Sequence, residues 1–181
     1  MTIYLARHGQ TSYNVTRRFQ GQTDVPLDET GRRQAQELAV KVADLGLVEL
    51  WSSPLARARE TAEVVSVHTG LDIRFDKRLM ETDTGVWTNR YFDELDSMDP
   101  EAYGAFLNSR LDFRYEGGES FAEQAERVAA AFADISRGPH PALVVSHGMA
   151  IRVGVARWTA EATLIHPLSN TELLELPPRA G

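Results

Sequence analysis

The sequence predicts an α/β fold, a three-layer sandwich with a mainly parallel central sheet, helices on both faces, and a small cap from a mid-chain excursion at about residues 76–115. Two observations predict it. Strand-like runs alternate with segments whose apolar residues recur at helical spacing, which is typical of a parallel sheet covered on both faces. The chain also has 181 residues, 43% of them hydrophobic, enough for one well-buried core and too few for two. Residues 1–181 are therefore expected to form a single domain.

Five short runs are predicted as strands of this sheet. The first of them mixes β-branched, aromatic and aliphatic residues, as a short central strand does. The runs are Thr2–Ala6, Val48–Trp51, Leu71–Phe75, Ala142–Ser146 and Thr171–Leu176.

Four segments are predicted as helices because their apolar residues are spaced near 3.6. The first has a candidate N-cap at Asp28 or Thr30, and the second is expected to begin with Ser53 as N-cap and Pro54 in the first turn. The four segments run from about Gly31 to Leu45, from Ser53-Pro54 onward, from Phe121 to Ile135, and from near Gly148 to Trp158.

Composition excludes several classes of protein. The formal net charge is −7, spread without a like-charge block, which argues against a nucleic-acid binder and against a basic membrane-surface protein. The sequence contains no cysteine, so a disulfide framework and a thiolate zinc site are both excluded. No basic leader with an apolar run and no stretch approaching a membrane span occurs. We therefore expect a cytoplasmic protein that binds neither nucleic acid nor membrane.

Two predicted strands end in a histidine followed by a glycine. Arg7-His8-Gly9 follows the first strand, and His147-Gly148 follows the fourth. A charged residue placed there does not serve the core, whereas ligands of open α/β sheets bind beyond the carboxyl ends of the strands. A single histidine of this kind is more often structural. Two of them, one preceded by arginine, predict that both imidazoles meet at a ligand site if the strands are neighbours.

Arg57 lies in the first turn of the second predicted helix. The helix dipole disfavours a cation at this position. Arg57 is therefore either a solvated surface residue or part of an oxyanion site at the helix N-terminus, where its guanidinium and the backbone amides act together.

Glu81 lies between apolar neighbours in the irregular excursion, close to Asp83. Partial burial favours the protonated form of a carboxyl group and would suit it to proton donation near neutrality. By sequence alone Asp83 is a rival for this role, and either residue could also be a solvated loop acid.

In their order along the chain these residues resemble the histidine phosphatase superfamily, whose best-known branch is the cofactor-dependent phosphoglycerate mutases. The likeness extends from Ile3 to about Leu176. The matching motifs are Arg7-His8-Gly9-Gln10-Thr11 with Asn14, Arg18-Phe-Gln-Gly21, Asp24-Val-Pro-Leu27, Gly31-Arg-Arg-Gln-Ala35, Ser52-Ser-Pro-Leu-Ala-Arg57-Ala, Thr61-Ala62, Glu81 with Gly85, Gly117-Gly-Glu-Ser120 and Val145-Ser-His147-Gly148.

The resemblance implies a role for each residue. His8 is expected to accept the phosphoryl group on one ring nitrogen while a backbone carbonyl holds the other nitrogen. Glu81 is expected to protonate the leaving alcohol and then to activate water. Neither a metal ion nor a cofactor is implied. The residues expected around the phosphoryl oxygens are Arg7, Arg57 and His147, with further hydrogen bonds from Asn14, Gln20, Gly21 and the Gly148 backbone.

The resemblance also favours one branch of the family. The mutases have Arg-His-Tyr-Gly after the acid, whereas this chain has Glu81-Thr-Asp-Thr-Gly85, as in the small phosphatase branch. A compact cap also lets water reach the phosphohistidine. The predicted function is hydrolysis of small phosphomonoesters, that is, of a small phosphorylated metabolite. The alternatives are a phosphoglycerate mutase and a non-catalytic phosphate-binding module.

The residues after Trp87 depart from the pattern of the small phosphatases. The small phosphatases commonly have Glu-Gly after the tryptophan, whereas Thr88-Asn89 follows Trp87 here, so the lid geometry and the substrate are not specified. The oligomeric state is not specified either. A metallohydrolase is disfavoured because His68, His140 and His166 stand apart from one another without a ligand motif.

Overall fold

The computed structural model describes residues 1–108, 112–161 and 164–180. Its strands are β1 (Ile3–Arg7), β2 (Glu49–Ser52), β3 (Ile73–Phe75), β4 (Ala142–Ser146) and β5 (Leu173–Glu175). They form one sheet in the order β3-β2-β4-β1-β5. The first four strands pair in parallel, and β5 pairs antiparallel to β1. The predicted mainly parallel sheet is thus confirmed.

Seven helices occur in the described residues. They are α1 (Ser12–Val15), α2 (Glu29–Val42), α3 (Ala56–Thr69), α4 (Phe92–Met98), α5 (Pro100–Leu107), α6 (Phe121–Ile135) and α7 (Gly148–Thr159). A 3₁₀ turn, Ala43–Leu45, follows α2 and completes the predicted first helix. The predicted N-cap at Asp28 is confirmed, because its carboxylate accepts a 2.8 Å hydrogen bond from the Gly31 amide.

Helices cover both faces of the sheet, as expected. Side chains of successive strand residues point to opposite faces, so Leu5 and Val144 pack against α6 and α7 while Ala6 and Leu143 pack against α2 and α3. The three-layer sandwich therefore follows from strands that are apolar on both sides.

Several predicted boundaries are wrong by a few residues. Strand β1 begins and ends one residue later than predicted, so Arg7 belongs to the strand itself. The third and fifth strands are shorter than predicted. Helix α3 begins at Ala56 with Leu55 in the N-cap position, so Ser53 and Pro54 lie before the helix. The Ser53 hydroxyl lies 2.8 Å from Nε2 of His147 and accepts a hydrogen bond from the Leu55 amide, while the first amide of the helix, that of Ala56, donates to Asp24 instead.

The predicted excursion forms the cap. It contains α4 and α5, which the sequence analysis did not predict, and residues 109–111 of it lie outside the described residues. Its aromatic side chains pack with Phe19 and Phe121 into a third apolar cluster, separate from the two beside the sheet. The cap thus has its own core, which lies against one end of the sheet. Within the described ranges, no helix is both long and apolar enough to cross a membrane.

Candidate active site

A cavity of about 250 Å³ lies between the carboxyl ends of β1 and β4 and the cap. Arg7 pairs with Ser146 at the ends of these neighbouring parallel strands, so His8 and His147 come next on adjacent strands. Their ring centroids are 5.2 Å apart. The two imidazoles therefore meet, as expected for neighbouring strands. All of the site residues predicted from the sequence line the cavity except His147.

His8 is buried and has one ring nitrogen occupied. Its Nδ1 donates to the Gly9 carbonyl oxygen at 2.7 Å, which leaves the lone pair of the ring on Nε2. Burial lowers the pKa of His8 well below its ordinary value, and the positive charges of Arg57 and Arg7 lower it further. The residue is therefore a neutral imidazole at neutral pH, which is the form a nucleophile needs.

Two buried guanidinium groups stand beside His8. Nη1 and Nη2 of Arg57 donate to the carbonyl oxygens of Thr23 and Gly21 at 2.9 and 2.8 Å. Nη1 of Arg7 donates to the Leu168 carbonyl oxygen at 2.5 Å. In both residues the Nε–H is buried without a hydrogen-bond partner among the described residues. Because a buried donor without a partner is costly, these two groups fit an anionic ligand.

Both arginines remain charged near neutrality. Burial lowers the pKa of Arg57 to about 10, even though Glu81 opposes that shift. Burial likewise lowers the pKa of Arg7, against the opposing effects of Glu81 and Glu172. Arg57 is fully buried, so the alternative that it is a solvated surface residue is wrong.

His147 lies behind the cavity wall. The residue is fully buried, and its Nδ1 has no hydrogen-bond partner in the part of the chain that the structure describes. Burial lowers its pKa well below the ordinary value, and the charge of Arg57 and the neighbouring His8 add to this effect. His147 is thus a second neutral imidazole, held on its Nε2 side by Ser53.

The carboxyl group of Glu81 lies at the N-terminus of α7. Its Oε1 accepts hydrogen bonds from the Ala150 amide at 3.1 Å and from Gln124 Nε2 at 3.2 Å. Its Oε2 accepts one long bond, 3.3 Å, from the Met149 amide. Oε2 is therefore the less occupied oxygen and the better placed for proton transfer. Asp83 is exposed and does not line the cavity, so the geometry distinguishes the two rival carboxylates in favour of Glu81.

Two amide side chains are oriented toward the cavity by Thr11. Oδ1 of Asn14 accepts from the amide of Thr11 at 3.0 Å, and Oε1 of Gln20 accepts from its hydroxyl at 2.9 Å. With their oxygens engaged in this way, the amide nitrogens of Asn14 and Gln20 are available as donors to a ligand.

Two glycines bring the backbone close to the site. Gly21 has a φ of +49°, and a Cβ there would lie 2.4 Å from Thr84 Oγ1. The turn thus requires glycine, and its carbonyl oxygen holds Arg57. Gly148 is the first residue of α7. Its amide belongs to the positive end of the helix dipole, which attracts an anion.

Several lining residues were not predicted from the sequence. Arg18 and Arg152 add two cations, and Gln124 contacts Glu81 from outside the cavity. A signal for Arg152 was present, because it lies four residues after Gly148 and therefore on the same helix face. The aromatic residues contributed to the cavity wall are Phe19, Phe92, Phe106 and Tyr115. The sequence around these aromatic residues shows neither helical nor strand periodicity.

The donors of the site suit an oxyanion rather than a metal ion. Guanidinium groups, amides and a helix N-terminus surround His8, and all of them offer N–H groups. Across the described ranges, no group of three or more histidine, aspartate or glutamate side chains could hold a metal ion. The arrangement is able to bind a tetrahedral oxyanion beside a neutral imidazole and a carboxyl group.

Known proteins similar to this chain were found by sequence and by structure. The sequence model of one family, described as histidine phosphatase superfamily (branch 1), matches residues 3–179. A probable phosphoglycerate mutase GpmB of Shigella boydii is 38% identical over 169 residues, covering 88% of this chain and 78% of the relative.

Two solved structures share the fold over most of their length. Mycobacterial glucosyl-3-phosphoglycerate phosphatase superposes with a TM-score of 0.87 at 32% identity, covering 96% of this chain and 91% of that one. The α-ribazole phosphatase of Shigella flexneri gives a TM-score of 0.79 at 30% identity, covering 89% and 81%.

Proposed function

The chain belongs to the histidine phosphatase superfamily, and from this premise we propose that it hydrolyses small phosphomonoesters through a phosphohistidine intermediate on His8. The observation that carries the proposal is the state of His8. It is a buried neutral imidazole with Nδ1 bonded to the Gly9 carbonyl oxygen, and it lines a cavity together with two arginines. A nucleophile for phosphoryl transfer needs this combination of a free lone pair and neighbouring positive charge.

In the first step, Nε2 of His8 attacks phosphorus in line with the ester oxygen. The P–N bond forms as the P–O bond to the alcohol breaks, and Glu81 gives its proton to the departing oxygen. Negative charge spreads over the three remaining oxygens, where Arg7 and Arg57 neutralise it. The Gly148 amide and the side chains of Asn14 and Gln20 add hydrogen bonds.

In the second step, water attacks the phosphohistidine. Glu81, now ionised, takes a proton from the water as the new P–O bond forms. The P–N bond breaks, its electron pair returns to Nε2, and inorganic phosphate leaves. His147 lies beside His8, and its buried Nδ1 has no hydrogen-bond partner among the described residues; we assign this nitrogen a hydrogen bond to a phosphoryl oxygen.

The similar proteins support the substrate class. The solved relatives are named as a glucosyl-3-phosphoglycerate phosphatase and an α-ribazole phosphatase, names that indicate small phosphorylated metabolites as their substrates. A small phosphorylated metabolite fits a cavity of about 250 Å³. A location in the cytoplasm, with neither nucleic acid nor membrane as a partner, stays a prediction from the sequence.

Trapping of the intermediate tests the proposal. Substrate is mixed with enzyme and quenched in alkali, and the peptides are analysed by mass spectrometry. We expect an acid-labile, base-stable phosphoryl group on the peptide that contains His8, and its loss in His8→Ala. His68→Ala is the matched control, because His68 is exposed on α3. An adduct on another peptide, or full activity of His8→Ala, would overturn the assignment.

A mutase is the second candidate, favoured by the relative that is named a probable phosphoglycerate mutase. The two functions differ in the acceptor of the phosphoryl group. Incubation of 3-phosphoglycerate with catalytic 2,3-bisphosphoglycerate, followed by ³¹P NMR, separates them: release of inorganic phosphate indicates the phosphatase, and accumulation of 2-phosphoglycerate indicates the mutase. Stoichiometric phosphate binding without turnover of any ester would instead indicate a non-catalytic module.

A further inference from the structure

Arg152 is one of two cations of the cavity, with Arg18, that the proposed chemistry does not use. It lies in α7 four residues after Gly148 and on the same side of the helix, so its Cα is about 6 Å further along the axis. Its side chain is half-buried in the cavity wall. Under the proposed function the phosphoryl group is bound beside His8 and the Gly148 amide, and Arg152 lines the rest of the same cavity, into which the alcohol portion of the substrate extends.

The guanidinium of Arg152 has no carboxylate partner among the described residues. Nε donates to the Ile165 carbonyl oxygen at 2.9 Å, and Nη1 makes a 3.9 Å contact with the sulfur of Met149. Burial lowers the pKa of Arg152, and the charge of Glu81, which does not form an ion pair with it among the described residues, opposes this shift. A partly desolvated cation without a counter-ion is costly. A ligand that supplies a negative charge would remove this cost.

Arg18, the other additional cation, is satisfied in a different way. It donates from Nε and Nη2 to the Asn89 carbonyl oxygen and is sandwiched between the rings of Tyr13 and Tyr91, 4.5 and 4.8 Å from their centroids. These contacts give Arg18 a structural role, because they join the loop after α1 to the cap. Arg152 is then the cation of the cavity without an assigned role.

The charges of the residues that line the cavity also favour an anionic ligand at Arg152. In the described residues the cavity lining contains four arginines and one carboxylate, in a chain of net charge −7. Arg7 and Arg57 suffice for a phosphoryl dianion. The lining also includes apolar rings, among them Phe19 and Phe106, whose centroids are 5.1 Å apart. The cavity thus offers a further positive charge, that of Arg152, together with a hydrocarbon wall.

Resting on the proposed function, we propose that Arg152 binds a second anionic group of the substrate, attached to the alcohol through a short apolar frame that packs on the aromatic wall. The favoured substrates are then phosphomonoesters of hydroxy acids rather than of neutral alcohols. Arg152 sets this specificity and takes no part in the transfer of the phosphoryl group.

A matched pair of esters tests this subsite. 3-Carboxyphenyl phosphate and 3-methylphenyl phosphate have similar shapes, and their phenols have similar acidity because a meta carboxylate does not conjugate with the oxygen. We expect the enzyme to prefer the carboxylated ester. In Arg152→Met, the ratio of the two kcat/KM values should fall by about ten- to a hundredfold, the range for a charge-assisted hydrogen bond. An unchanged ratio would overturn the proposal.

Two variants control for general effects. Arg152→Lys keeps the charge and should retain part of the preference. Arg157→Met makes the same change on the same helix, at an exposed residue paired with Glu126 outside the cavity, and should leave the ratio unaltered. Equal losses for both esters in Arg152→Met would mean that Arg152 only holds the Ile165 loop, which contradicts the proposal.

Binding separates this proposal from the proposed function. The affinities of 3-carboxybenzylphosphonate and 3-methylbenzylphosphonate, which are not hydrolysed, are measured by calorimetry with the native protein and with Arg152→Met. A carboxylate preference that disappears in Arg152→Met supports the subsite even if neither ester is turned over, in which case the proposed function fails alone. Turnover of both esters without any carboxylate preference in either assay removes the subsite and leaves the phosphatase intact.

Discussion

Arg57 and Arg59 are two positions apart on α3, and their side chains lie in opposite environments. Arg57 is fully buried beside His8, whereas the side chain of Arg59 is 41% exposed and pairs with Glu63. An angle of about 200° separates the two positions around a helix of 3.6 residues per turn. One turn of one helix thus holds a buried guanidinium of the cavity wall and a surface ion pair.

We expect Arg57→Ala to reduce kcat/KM about ten- to a hundredfold, because a charge-assisted contact contributes about 1.5–3 kcal/mol. Arg59→Ala should change it little, because exposed ion pairs contribute about 1 kcal/mol or less to stability and this one is remote from the ligand. The measurement is steady-state hydrolysis, with thermal unfolding as a check, since Arg57 also holds two carbonyl oxygens. Equal losses in the two variants would contradict the placement of Arg57.

A second prediction concerns the proton donor. Glu81→Gln should slow esters of alkyl alcohols about 10²–10⁴-fold, the usual contribution of general acid catalysis. Esters of acidic phenols should be nearly spared, because such phenolates leave without a proton. The quantity to compare is kcat/KM, which reports the first irreversible step and is not altered by slow dephosphorylation.

Asp83→Asn is the matched control for Glu81→Gln. Asp83 is two residues away and exposed, and its carboxylate accepts a hydrogen bond from the Gly85 amide. We expect no dependence of its effect on the leaving group. If Asp83→Asn shows that dependence and Glu81→Gln does not, the proton donor is misassigned.

At the scale of single residues, the sequence predicted those site residues that belong to local motifs. His8, Asn14 and Gln20 lie in one short segment, and the cavity contains all three. Gln124 and Arg152 were not predicted, because their relevance depends on which partner the fold brings to them. Gln124 is fully buried and contacts Glu81, 43 residues away, a distance that no local pattern spans.

At the scale of elements, prediction succeeded where one face of a segment packs on the sheet. Strand β4 and helix α6 have the predicted bounds, because their apolar periods match the layers they join. Helices α4 and α5 pack on the aromatic cluster of the cap instead. Asp99-Pro100 is nevertheless a helix start signal, and the Asp99 carboxylate does accept from the Ala102 amide. The excursion was therefore more predictable than its irregular composition indicated.

Close packing of α6 on α7 leads to a prediction of stability. A Cβ on Gly154 of α7 would lie 2.4 Å from Val128 Cγ1 and 3.0 Å from Phe132 Cε2. We expect Gly154→Ala to lower the free energy of unfolding by about 1–3 kcal/mol through overpacking, measured by urea denaturation. Gly104→Ala in α5 is the control, because its Cβ meets nothing within 4 Å. It should be neutral or stabilising by up to about 1 kcal/mol. If Gly154→Ala and Gly104→Ala change the free energy of unfolding equally, α6 and α7 can move apart to admit the added methyl group without cost.

At the scale of the whole molecule, the overall charge and the charge of the site have opposite signs. The net charge of the chain is −7, whereas the cavity has one carboxylate beside its arginines among the described residues. The sequence did not reveal that four arginines from distant segments line one cavity. Each reaches it from a different element, namely the end of β1, the loop after α1, the start of α3 and the middle of α7. Only the order of the strands and the packing of the helices bring them together.

The strand order also has a consequence for how the protein is made. Strand β1 leads directly into His8, the proposed nucleophile, and in the sheet it lies between β4 and β5, the last two strands described. On the ribosome, β1 emerges first and both of its partners emerge last. The apolar residues Ile3 and Leu5 therefore stay uncovered for most of translation, which is when chaperones bind nascent chains. Because the cavity lies at the ends of β1 and β4, enzymatic activity should arise only after these two strands have paired.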